Sequence, residues 1–152
     1  MYDRILLPTD GSDPAVEASR HAIDLANRHD ADLDVLYVVD HERLGRMAPD
    51  LGTEQIREAL TAEGERATAM VEERAAEDGV DVRKVVRDGP PAETIIGYAD
   101  EEAVDVIVMG TTGRSGLDRL LLGSVAESVI QGTDVPVFLV KNDSNDAYGN
   151  GE

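Results

Sequence analysis

Five short apolar runs recur along the chain, and each gap between them has room for a helix. Arg4 to Pro8 (RILLP) ends in Thr9-Asp10-Gly11-Ser12, a strand running into turn residues. Ser12 or Asp13 can cap a helix with Pro14 in its first turn, and Ala15, Ala18, Ala22, Leu25 and Ala26 then recur at helical spacing to about Arg28. Leu33 to Val39 reads as the second strand. A loop containing Gly45, Pro49 and Gly52 follows it. Thr53 to about Glu77 is helical and Gly79 ends it, so Val80 to Val86 is the third strand. The turn Asp88-Gly89-Pro90-Pro91 leads into a helix with Ala92, Ile95, Ile96 and Ala99 on its buried side. Val104 to Met109 is the fourth strand, Ser124 to Gln131 the last helix, and Val135 to Val140 the fifth strand. Asn142 to Glu152 is polar and is expected to be a disordered tail. Strict alternation with nearly continuous apolar strands predicts an α/β fold, a parallel sheet covered by helices on both faces.

Ligands of such sheets sit at the carboxyl ends of the strands, where the strand order reverses. Asp10 follows strand one and Gly110 ends strand four. One site using both requires those strands to be neighbours, as in the order 3-2-1-4-5.

The segment after strand four carries the strongest functional signal. It reads GTTGRSGLDRLLLGS, with two residues between Gly110 and Gly113 and nine between Gly113 and Gly123-Ser124. Glycine lets backbone approach a ligand, and a helix opening behind one offers free N–H groups to an anion. The connection is long for a plain βα turn. Arg114 is placed to meet a phosphate. Neither lysine, Lys84 or Lys141, follows a glycine, so no GxxxxGK[ST] loop exists. No GxGxxG follows strand one. The pattern points to a mononucleotide held without a P-loop lysine, accompanied by a divalent cation.

Charge narrows the partners. There are 32 acidic residues against 14 lysines and arginines, for a net charge of -18. Nucleic acid and anionic membranes both call for basic surfaces and are disfavoured. No apolar run approaches the length of a bilayer span. The acidic, lysine-poor composition is that of a chain suited to molar salt. With no cysteine, disulfides and thiolate zinc sites are excluded, which agrees with a cytoplasmic location. His21, His29 and His41 share no metal-ligand spacing, and Ser115 lacks a GxSxG setting, so no catalytic set emerges. Asp10 can bind a sugar, a base or a cation, or simply shape its turn. The last strand, containing Pro136, is an edge that a two-fold dimer would cover.

The chain resembles the universal stress proteins of the small, single-domain kind. The resemblance rests on Tyr2 to Ser12, on Val135 to Val140, and above all on Gly110-x2-Gly113-x9-Gly123-Ser124, which matches that family's ATP-binding signature. It covers residues 1–141. It implies a Rossmann-like three-layer sandwich of the adenine nucleotide alpha hydrolase type, and a homodimer through the last strand. It also implies ATP with Mg²⁺ or Mn²⁺ bridging its phosphates. Pro8, Thr9 and Asp10 would meet the adenosine end, with the Val38 region lining the adenine pocket. Met109 would close the ribose side. Gly110, Thr112 and Gly113 would surround the ribose and phosphates. Gly123, Ser124 and Val125 would hold phosphates from the helix N-terminus. The role implied is a stress-response switch or sensor, with at most slow hydrolysis. Two other readings are a receiver-like phosphoacceptor domain using Asp88, and a family member that binds partners and no nucleotide.

Overall fold

The computed structural model describes residues 1–112 and 122–141. Five parallel strands, β1 (Arg4–Pro8), β2 (Asp32–Val39), β3 (Val82–Asp88), β4 (Val106–Gly110) and β5 (Val137–Val140), form one sheet in the order β3-β2-β1-β4-β5. The order 3-2-1-4-5 needed to bring Asp10 beside Gly110 is the one observed.

Alternation along the strands builds the layers. Ile5, Leu7, Leu33, Val35 and Val108 face α1 (Asp13–His29) and α3 (Thr53–Glu77), where Ala18, Ala22, Val71 and Ala75 pack against them. Leu6, Leu36 and Ile107 face α4 (Pro91–Glu101) and α5 (Ser124–Gly132), against Ile95, Tyr98 and Val129. Ser12 caps α1, its hydroxyl accepting from the Ala15 N–H at 3.4 Å, with Pro14 in the first turn.

Two sequence expectations need correcting. The stretch expected to be wholly loop after β2 contains a short helix, α2 (His41–Met47), begun by the Asp40 carboxylate accepting from the Arg43 N–H at 3.4 Å. Three strands also begin later than expected, at Val82, Val106 and Val137. For the first two of these the cause is the end of the preceding helix. Val80 and Val104 donate their N–H groups back to Ala75 and Ala99, just after Gly79 (φ 74) and Ala103 (φ 53) take left-handed conformations. Both valines are buried as helix-closing contacts and not as strand residues. Pro136 delays β5, having no N–H for the ladder, although its carbonyl accepts from Ile107 at 2.9 Å.

The amino-terminal half of the sheet holds a buried charge that the apolar pattern concealed. Asp34, the third residue of β2 and 1% exposed, accepts from Arg4 at 3.0 Å, Arg83 at 2.8 Å and the Tyr98 hydroxyl at 2.7 Å. Arg83 also reaches Glu102 at 2.8 Å. A buried carboxylate is tolerable only when paired in this way. Burial, then the bond to Asp34, pushes the Tyr98 phenol well above its usual range. The network joins β1, β2, β3 and α4 at the end of the sheet away from the cavity described next.

Candidate functional site

At the carboxyl edge of the sheet, the chain leaves β1 toward α1 on one face and β4 toward α5 on the other. The crevice between them is the point where strand order reverses. A cavity of about 380 Å³ opens there. Of the residues singled out from sequence, Pro8, Thr9, Asp10, Val38, Met109, Gly110, Thr112, Gly123, Ser124 and Val125 all line it. Gly113 and Arg114 lie outside the described residues, as does the tail from Asn142.

The local chemistry follows from how the backbone is turned. One Asp10 carboxylate oxygen accepts from the Ser12 N–H at 3.0 Å, so this side chain shapes the turn after β1 while also lining the cavity. Gly123 begins α5 with extended backbone and donates to the Thr111 carbonyl at 2.6 Å. A β-carbon on Gly123 would sit 3.2 Å from that oxygen and 3.3 Å from the Thr112 α-carbon. Gly110 is similarly tight, its notional β-carbon 3.2 Å from the Pro14 carbonyl. These two glycines therefore let backbone meet backbone: Gly123 draws the start of α5 up to the end of β4, and Gly110 lets the first turn of α1 come close to the same strand end.

What the arrangement offers a ligand is a set of donors. The first-turn N–H groups of α5 lack helical acceptors, and no side chain caps them. The helix dipole adds partial positive charge at the same point. The hydroxyls of Thr111 and Thr112 are buried and have no hydrogen-bond partner among the described residues. Buried polar groups rarely stay unsatisfied, so both ask for a partner within the cavity. Leu36, Val38, Ile95 and Met109 supply apolar wall. Among the described residues no three acidic or histidine side chains converge to hold a metal.

Arg43, Arg46 and Asp40 also line the cavity, together with Tyr37 and Thr111. The sequence reading missed the two arginines because it took their helix for loop. The spacing of Arg43 and Arg46, three apart before Pro49, was the available signal.

The fold and site define an α/β protein with a nucleotide-sized crevice at its topological switch point and no P-loop. The universal stress protein family profile matches residues 1–141. Universal stress protein MJ0531 of Methanocaldococcus jannaschii is 43% identical over 141 residues, covering 93% of this chain and 83% of that one. The solved structure of MJ0577, from the same organism, has a TM-score of 0.82 at 31% identity and covers 93% of this chain and 96% of that one. A universal stress protein crystallised in complex with cAMP has a TM-score of 0.68 at 25% identity, covering 93% and 98%. The chain belongs to the universal stress protein family.

The strand order also removes the receiver-like reading. Receiver-type sheets run 2-1-3-4-5, which puts strand three inside the sheet. Here β3 is an edge, and Asp88 at its end is paired with Arg57 and His41, outside the cavity lining.

Proposed function

We propose that this protein binds ATP in the carboxyl-edge cavity and acts as a nucleotide-dependent switch or sensor in the stress response. The observation that carries the reading is the convergence of the open first turn of α5 with the buried, unsatisfied Thr111 and Thr112 hydroxyls, in one crevice with Asp10. Family membership and the cAMP complex of a neighbour support an adenine nucleotide as the ligand class. In this reading Val38 and Asp10 face the adenosine end. Gly110, Thr112 and Gly113 wrap the ribose and phosphates. Gly123, Ser124 and Val125 hold the phosphates. Mg²⁺ or Mn²⁺ rides on the phosphates, since no protein cluster is built for it among the described residues. Among the described residues no nucleophile and base are set against one another, and the proposed activity is binding, with hydrolysis at most slow.

The quaternary reading is a homodimer through Val135–Val140. Phe138, on the β5 edge, is 43% exposed, and Ile130 on α5 is 39% exposed. Phe138→Asp should leave a monomer in sedimentation, and an unchanged mass would sink the dimer assignment. A cytoplasmic setting at high salt completes the proposal. Mass spectrometry of the small molecule released on denaturing the purified protein tests the ligand. An adenine nucleotide is expected, and a stoichiometric ligand of another class would contradict the reading.

A further inference from the structure

The cavity has two polar ends. At one, α5 presents its N–H groups after β4; at the other, α2 presents Arg43 and Arg46 after β2. Strand β1 lies between β2 and β4, so the ends are separated by two strand spacings, about 10 Å. Phosphates held at α5 therefore put the base at the α2 end, where Val38 lies.

Among the described residues, Arg43 and Arg46 are the two basic side chains that line the cavity, and like Arg66, Arg74 and Lys141 they lack an ion pair. Acidic groups outnumber basic ones by 32 to 14, and Arg4, Arg20, Arg28, Arg57, Arg83, Lys84 and Arg87 all have carboxylate partners. Arg43, half-buried, and Arg46, exposed at the rim, have no side-chain hydrogen bond or ion pair among the described residues. Their helix is nonetheless tied down. It packs against α3, and its first residue, His41, comes within 3.4 Å of the Asp88 carboxylate at the end of β3, although that ring nitrogen makes no hydrogen bond. So α2 is fixed across the end of β2 with two unpaired guanidiniums on the cavity wall. A guanidinium is planar, weakly hydrated and suited to lying on an aromatic face.

We propose that Arg43 and Arg46 are the base-recognition residues of this site: their guanidinium planes cover the purine ring of the bound nucleotide. The proposal deepens the ATP reading and rests on it. It predicts that these arginines set affinity through the base and not through phosphate number. It also predicts a preference for the two-ring purine face over a one-ring pyrimidine.

Calorimetry with ATP, AMP and UTP in molar KCl tests this, because a Debye length of about 3 Å there removes diffuse charge effects. The proteins compared are the native chain, Arg43→Gln/Arg46→Gln, Arg43→Lys/Arg46→Lys, and Arg20→Gln/Arg66→Gln as a control of equal charge change outside the cavity. The glutamine pair should weaken ATP and AMP by the same factor, about tenfold, and UTP by less. The lysine pair should fail to restore affinity, and the control should match the native chain. A larger loss for ATP than for AMP would make the arginines phosphate ligands and overturn the proposal. Unchanged affinities in the glutamine pair would overturn it while leaving the ATP site standing. Absence of ATP binding by the native chain would remove both.

Discussion

At the scale of single residues, the glycines of the loop after β4 were legible from spacing, but part of their purpose was not. Gly110 and Gly123 line the cavity, and their closest neighbours are Pro14, Thr111 and Thr112. A sequence names a glycine without saying which backbone approaches it. Asp34 was invisible for a related reason. Inside LDVLYVV it looks like a polar interruption, and only the fold brings Arg4, Arg83 and Tyr98 to it from distant segments. Asp105 is a further such case. It accepts from the backbone N–H groups of Asp3 at 2.7 Å and Arg4 at 2.9 Å, stitching the start of β1 to the turn before β4. Those bonds, Arg4 first and Asp3 second, hold its carboxyl below the usual carboxylate value. A folded pKa below the unfolded one means stabilisation is complete above the unfolded value, about 3.9, and is lost as pH falls through the folded value. Asp105→Asn should therefore lower stability at neutral pH, with the gap to the native chain closing at acid pH. Urea titrations across the range check this; a gap that persists unchanged at acid pH would contradict it.

At the scale of elements, helix and strand identity was readable from periodicity, while the junctions were not. The helix-ending motif is the reason. α1, α3 and α4 each finish with a left-handed residue, Asp30, Gly79 or Ala103, followed by a buried apolar residue, Ala31, Val80 or Val104. Each of those apolar residues donates its N–H five positions back. Val80 and Val104 run directly into the next strand, so apolarity alone merges the helix closure with the strand. Only Gly79 announces the motif in sequence. Ala103 adopts φ 53 with a β-carbon, which costs about 1 kcal/mol relative to glycine. Ala103→Gly should raise stability, by somewhat less than that because glycine also loosens the unfolded chain. Thermal unfolding reads the shift, and a lower melting temperature would contradict it. The same scale explains the missed α2, whose seven residues are too few for periodicity to register. It packs against α3, and its first residue lies near Asp88, far away in sequence.

At the scale of the whole molecule, alternation of strand and helix determined the layers, while the strand order was only permitted by the sequence; the order 3-2-1-4-5, in which Asp10 and Gly110 can share a site, is the one observed. The formal charge of -18 acts at this scale too, through self-repulsion that added salt screens. The melting temperature should therefore rise from low salt to molar KCl, and a flat profile would contradict a chain built for salt. No helix among the described residues is long and apolar enough to cross a membrane. The central claim is that the crevice at the sheet's carboxyl edge is an adenine-nucleotide site. Isothermal titration of the purified protein, stripped of any bound small molecule, with ATP and Mg²⁺ in molar KCl tests it most directly. The account predicts saturable binding of one ATP per chain; no heat of binding up to millimolar ATP would contradict it.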